Sequence, residues 1–343
     1  MSKGEERAAG VPHPRETTAL YGHAEAERQA LGAYAGGRMP HAWLIGGEHG
    51  VGKATLAYRL ARFVLAHPDP ASSKVQAADS LFVPPEHPVS RRIAARAHSD
   101  LLTLERTVGD TGKLRTEIAV ADVRRTVTFF GSTAGEGGWR VCIVDSADEL
   151  NRAGANALLK ILEEPPARSL LLVVSQSPAR LLSTIRSRCR RLALRPLDAS
   201  DVARAVADAL GIDPADPQLQ KAAVLAQGSV ARAIALYDGA SLALRDKVAS
   251  LLEMLPKTDP QALHALGDVL GRADEVAFSG FVDTVRAWLS GQLDGARDTA
   301  RLARIAQAWE AFNRAAGEVD TFNLDRKPLV FNTFALLAEA AQR

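Results

Sequence analysis

The sequence predicts an α/β domain over residues 1–196, a mainly parallel sheet flanked by helices. A small helical domain over 197–240 and an all-α domain over 241–343 follow. Three observations carry that reading. Short apolar runs alternate with amphipathic helical stretches as far as Pro196, the pattern of repeated strand–helix units. The first of these units encloses Gly47-Glu48-His49-Gly50-Val51-Gly52-Lys53-Ala54, a glycine-rich turn between a strand and a helix. From Asp198 onward the strand signal disappears.

Bulk composition narrows the class. A chain of 343 residues can hold roughly two or three cores, and 47% hydrophobic with 24% charged residues is an ordinary globular balance. A net charge of +2 argues neither for a nucleic-acid binder nor for an acidic protein, although local basic patches remain open. The two cysteines, Cys142 and Cys189, exclude a disulfide framework and any four-cysteine zinc site, and suit a reducing cytoplasm. The polar start has no apolar core behind it, so no signal peptide is expected. No apolar run approaches the roughly 20 residues of a membrane span, so no membrane partner is expected either.

Taken in order, residues 1–18 carry Pro12 and Pro14 and read as a loose lead-in. Leu20 to His23 opens a helix running to about Tyr34, which Gly36-Gly37 closes. Ala42-Trp43-Leu44-Ile45 is a buried strand and Thr55–Leu65 the helix after the glycine turn. His67 to Pro88, rich in Pro, Ser and Ala without a clear period, reads as a flexible surface excursion. Asp100–Leu104 is a strand, Ile118–Phe130 a helix, Gly131–Gly138 a turn, and Trp139–Val144 a strand ending at Asp145. Asn151–Glu164 is a helix stopped by Pro165-Pro166. Ser169–Val174 is continuously apolar, as a strand buried on both faces should be. Leu181–Ile185 is a short helix and Arg191–Leu194 a last strand, with Arg188 at its edge. Beyond it, helices are expected over Ser200–Leu210, Pro217–Gln227, Ser229–Tyr237, Leu242–Leu255, Pro260–Gly271, Glu275–Leu293, Ala300–Ala316 and Leu329–Gln342.

The glycine turn is a G-x-x-x-x-G-K phosphate loop in the required strand–turn–helix context. Gly47, Gly50 and Gly52 let backbone N–H groups curl around a phosphate, and Lys53 can reach the β- and γ-phosphates. The residue after the lysine should offer a hydroxyl to Mg²⁺; here it is Ala54, and Thr55 lies about 100° further round the helix. Asp145 either orients Mg²⁺ through water or simply ends its strand. The next position, where a glutamate would polarise water, is Ser146. With the metal ligand and the base both missing, any ATP or ADP would be held weakly and not turned over.

Asn156-Ala-Leu-Leu-Lys-Ile-Leu-Glu-Glu-Pro-Pro166, followed by Ser187-Arg188-Cys189, makes the resemblance specific. Together with the phosphate loop and Asp145, these motifs resemble the clamp-loader branch of the AAA+ ATPases and, within it, the delta-prime family. The resemblance implies an AAA+ domain, a helical lid and a C-terminal collar that joins motor and delta-type subunits in a hetero-pentamer. It further implies that Arg188 is an arginine finger, catalytic in trans on a neighbouring subunit's γ-phosphate, although a basic edge of Arg186, Arg188, Arg190 and Arg191 is the plainer alternative. Ser175 stands where the family's first sensor sits; it either approaches a γ-phosphate or is a satisfied strand-end serine. A sliding clamp and primed DNA are implied as partners through the complex, and a bacterial cytoplasm, nucleoid-associated during replication, as the location.

Two departures stand out. Family members often carry a four-cysteine zinc module after the phosphate-loop helix; no cysteine lies between Lys53 and Leu104, so no zinc is expected. The second-sensor arginine should come three residues after Gly228, where Ala231 stands beside Arg232. The histidines, His67, His87 and His98 among them, show no ligand spacing, so surface or capping roles are expected. Trp288 and Trp309 are expected in the helical core.

Overall fold

A computed structural model describes residues 11–109, 115–131, 135, 138–237, 239–272, 275–294, 299–322 and 324–341. They form two compact units with the boundary between Ile234 and Ala235.

The first unit contains β1 (Ala42–Gly46), β2 (Leu101–Leu104), β3 (Arg140–Val144), β4 (Ser169–Ser175) and β5 (Arg190–Ala193). They make one parallel sheet in the order β2-β3-β4-β1-β5. Its helices are α1 (Ala24–Ala35), α2 (Lys53–Ala66), α3 (Ser73–Gln76), α4 (Pro88–Ala94), α5 (Val120–Gly131), α6 (Arg152–Glu163), α7 (Ser183–Arg188), α8 (Ala199–Leu210) and α9 (Pro217–Leu225). The chain continues into α10 (Val230–Tyr237).

Side chains alternate across a strand, so one sheet serves two cores. Trp43, Ile45, Val141, Ile143, Leu170, Leu172 and Val174 face the layer built from α1, α2 and the segment behind α2. Leu44, Cys142, Val144, Leu171 and Val173 face α5, α6 and α7. Both faces are therefore covered, which suits the unbroken apolar run from Leu170 to Val174 in β4.

The segment from His67 to Pro88 departs from the expected surface excursion. Val75, Leu81 and Val83 are buried in the first core, as are Val89 and Ile93 of α4. The Leu81 N–H donates to Glu27 Oε1 at 2.8 Å, and Arg59 pairs with the same carboxylate. Val75 sits on the four-residue helix α3, and Leu81 and Val83 sit on irregular chain, stretches too short to show a helical or strand period. His87 caps α4 by accepting from Val89 N–H, the kind of role expected for it.

The short helix before β5 also differs. It begins at Ser183 and runs through Arg188, so Arg188 ends a helix rather than edging a strand. The expected lead-in over 1–18 is described only from residue 11, and most of the Gly131–Gly138 turn lies outside the described residues.

The second unit is all helical: α11 (Ala240–Glu253), α12 (Pro260–Gly271), α13 (Glu275–Asp294), α14 (Thr299–Phe322) and α15 (Arg326–Ala341). Val248, Leu252, Leu266, Phe281, Leu289, Phe312 and Phe334 anchor its core, and Trp288 and Trp309 pack against it. Helix α15 starts before the expected Leu329. Pro328 sits in its first turn, where a missing N–H costs nothing, and Asp325 accepts from Lys327 N–H at 3.0 Å.

Candidate functional site

In a parallel sheet all strands point one way, so adjacent strands deliver their C-terminal ends to a common edge. The registers pair Gly46 of β1 with Ser175 of β4, and Val144 of β3 with Val173 of β4. The glycine loop at Gly47–Lys53, Asp145 and Ser175 are thereby brought together from three separate stretches of sequence.

The loop itself is tightly made. Gly50 and Gly52 have φ of 74° and 103°, a region that L side chains rarely adopt. Gly47 follows β1, and a Cβ there would lie 2.7 Å from the Leu194 carbonyl oxygen. Lys53 is the first residue of α2, and its ammonium donates to the Glu48 carbonyl at 2.6 Å. Burial pushes the Lys53 ammonium below its ordinary pKa, while Asp145, Asp148 and Glu48 favour its charged form.

Two further groups hold the loop from outside. His23 Nε2 lies 2.7 Å from the Val51 carbonyl, and because a carbonyl only accepts, this nitrogen carries the hydrogen. Burial lowers the His23 pKa, and the bond to Val51 opposes that. From the helical side of the unit, Val230 N–H donates to the Gly50 carbonyl at 2.9 Å. A Cβ on Gly50 would lie 2.2 Å from Ser229 Oγ and 2.8 Å from Ala231 Cβ, so the Gly228-Ser229 turn rests directly on the loop. Ala231 meets Gly50 with a methyl group, and the Arg232 guanidinium reaches Gln227 Oε1 at 3.4 Å.

At the ends of β3 and β4, Asp148 takes a role that sequence reasoning missed. Its carboxylate accepts from Ser146 Oγ at 2.7 Å, Ser175 Oγ at 2.9 Å, Gln176 N–H at 2.6 Å and Ser177 N–H at 3.1 Å. Partial burial disfavours its ionisation, but these hydrogen bonds outweigh that and hold the carboxyl below its usual range. Ser175, fully buried, is thus engaged by Asp148, and so is Ser146. The only sequence signal was an acid three residues past the strand-end aspartate, and nothing in that spacing shows that the chain turns back.

The basic cluster near β5 separates into distinct environments. Arg186 donates to the Ala179 carbonyl, and Arg190 stacks over the Trp43 ring at 5.1 Å. Arg188 Nη1 donates to the Thr184 carbonyl at 3.0 Å, and Nη2 lies 3.0 Å from Glu163 Oε1. The Cys142 and Cys189 thiols are buried, which pushes the Cys189 pKa up to about 12 and that of Cys142 higher still. Among the described residues, no three His, Cys, Asp or Glu gather as a metal site, and no helix is long and apolar enough to cross a membrane.

A family model described as DNA polymerase III, delta subunit, matches residues 22–198, more than half of the chain. The delta-prime subunit of Pseudomonas aeruginosa is 33% identical over 240 residues, covering 69% of this chain and 68% of the relative. The chain belongs to the delta-prime family of DNA polymerase III subunits. The Escherichia coli delta-prime subunit is 32% identical over 166 residues, 48% of this chain and 46% of its own. The gamma/tau subunit of Mycobacterium bovis is 27% identical over 277 residues, 78% of this chain and 43% of the relative. A gamma subunit-related structure from Thermotoga maritima is 17% identical and aligns with a TM-score of 0.44 over 88% of this chain and 95% of that one.

For a delta-prime family member, the residues fit half of a nucleotide site. Loop amides, Lys53 and the start of α2 suit phosphates. They do not suit a hydrolysing metal centre, since Ala54 offers no side-chain oxygen and the Ser146 hydroxyl is committed to Asp148.

Proposed function

We propose that this chain is the delta-prime-type structural and regulatory subunit of a replicative clamp loader. It holds its place in a hetero-pentamer through a collar at 241–343 and carries a helical lid domain at 197–240 after its AAA+ domain. It binds ATP or ADP weakly and offers Arg188 in trans to a neighbouring motor subunit, while the complex loads a sliding clamp onto primed DNA.

One contrast carries the reading. The chain's own phosphate loop is held by its own groups, with Lys53 on Glu48, His23 on Val51 and Val230 on Gly50. Arg188, also held by groups of this chain, nevertheless ends a helix at the surface with a third of its side chain exposed. A guanidinium suits that task, being always charged and presenting a planar fork to developing phosphoryl charge.

The test is reconstitution with motor and delta-type subunits. The isolated chain should show no ATP turnover, and its addition should raise the motor subunits' clamp- and DNA-stimulated ATPase. A rival reading as a motor subunit draws on the gamma/tau likeness across 78% of the chain. It requires turnover by the isolated chain that Lys53→Ala abolishes.

A further inference from the structure

We propose that Glu163 is the positioning residue of Arg188, fixing the direction in which its guanidinium leaves the surface. The inference rests on the proposed function, since it concerns how that arginine is presented.

Glu163 is the last residue of α6, and Arg188 the last of α7. Both helix ends are placed by one core, in which Leu158, Ile161 and Leu162 of α6 meet Ile185 and Cys189. Pro165 and Pro166 stop α6 and so fix Glu163 in its final turn. A carboxylate there opposes the helix dipole, which favours cations at that end. Its place is therefore not explained by the helix that carries it. Nor is it explained by stability, because the side chains are 50% and 35% exposed, and ion pairs this open contribute little.

Geometry supplies the explanation. Glu163 Oε1 holds Arg188 Nη2 at 3.0 Å, and the Thr184 carbonyl holds Nη1 at 3.0 Å. Two anchors on different elements fix the plane of the guanidinium as well as its position. A guanidinium has five N–H donors, so donors remain for a phosphoryl oxygen. A long side chain that would otherwise sample many rotamers is then pre-set before the neighbouring subunit arrives.

The experiment uses the full chain in the reconstituted loader, comparing wild type, Glu163→Gln, Arg188→Ala and the double variant. Glu163→Gln keeps the size and removes the charge. The expected result is normal assembly, a kcat lower by about tenfold at the served site with KM for ATP little changed, and a double variant no worse than Arg188→Ala. Misplacing a reacting group by about 1 Å costs up to about 10²-fold, which bounds the effect. If Arg188→Ala is impaired but Glu163→Gln turns over at the wild-type rate or faster, the positioning role is wrong and the finger stands. The role is also wrong if Glu163→Gln fails to assemble, or if its loss adds to that of Arg188→Ala, because Glu163 then acts on something else. If Arg188→Ala itself is unimpaired, the finger reading fails first.

Discussion

Gly50→Ala separates two properties of the glycine loop, its own backbone shape and its contact with the Gly228-Ser229 turn. An alanine at φ 74° is strained by about 1–2 kcal/mol. Its methyl would also arrive 2.2 Å from Ser229 Oγ and 2.8 Å from Ala231 Cβ, so the Gly228-Ser229 turn must move. That movement breaks the 2.9 Å bond from Val230 N–H to the Gly50 carbonyl, worth about 1 kcal/mol net. The sum is about 2–3 kcal/mol. Gly52→Ala is the control: its φ of 103° is also strained, but its Cβ would find only His23, at 3.7 Å. Denaturation should show a loss in both variants. Amide hydrogen exchange at Val230 should separate them, with protection falling by about 5- to 100-fold in Gly50→Ala and remaining near wild type in Gly52→Ala. Equal loss of protection in both variants, or none in Gly50→Ala, would refute the idea that the turn rests on the loop.

Asp148→Ala should destabilise the first unit by about 1–2 kcal/mol, because the buried Ser175 hydroxyl and two N–H groups lose their acceptor while partial exposure lets water replace some of it. Its pKa is depressed in the fold, so this contribution is complete above the unfolded carboxylate value of about 4 and fades as pH falls through the folded value. Acid titration of unfolding in wild type and Asp148→Ala should converge at low pH; parallel curves would contradict the assignment. Elemental analysis of chelator-washed protein should find no zinc, and a stoichiometric content would overturn the expectation drawn from the cysteine count. Nucleotide titration should show weak binding that Lys53→Ala weakens further, and turnover by the isolated chain would contradict the degenerate-site reading.

Regular elements were legible because each carries its own period or punctuation. The continuous apolar β4 announced a strand covered on both faces, and Pro165-Pro166 announced the end of α6. The site was legible as far as it is built from local motif, hence Gly47–Lys53 and the strand-end Asp145. What escaped depends on distant stretches meeting. His23 reaches Val51 across 28 positions and Asp148 reaches Ser175 across 27, with no spacing rule to reveal either. The segment behind α2 shows no period for the same reason: Val75 is buried from a single-turn helix, and Leu81 and Val83 from irregular chain. Helix α7 runs past the expected Ile185: Arg186 and Arg188 in its last turn resemble a strand flank in sequence, although cations there suit the helix dipole.

We propose that Arg188 works on a neighbour's nucleotide rather than on one held by its own chain. The ATPase of the reconstituted loader carrying Arg188→Ala tests it most directly, with Arg190→Ala as control because Arg190 is stacked on Trp43. Folding and assembly should be normal, with a loss on the order of 10³-fold at the one site served, diluted in the whole complex by the other sites. Arg188→Lys should not rescue it, because its ammonium lacks the planar fork. A wild-type rate with Arg188→Ala, or an equal loss with Arg190→Ala, would contradict it.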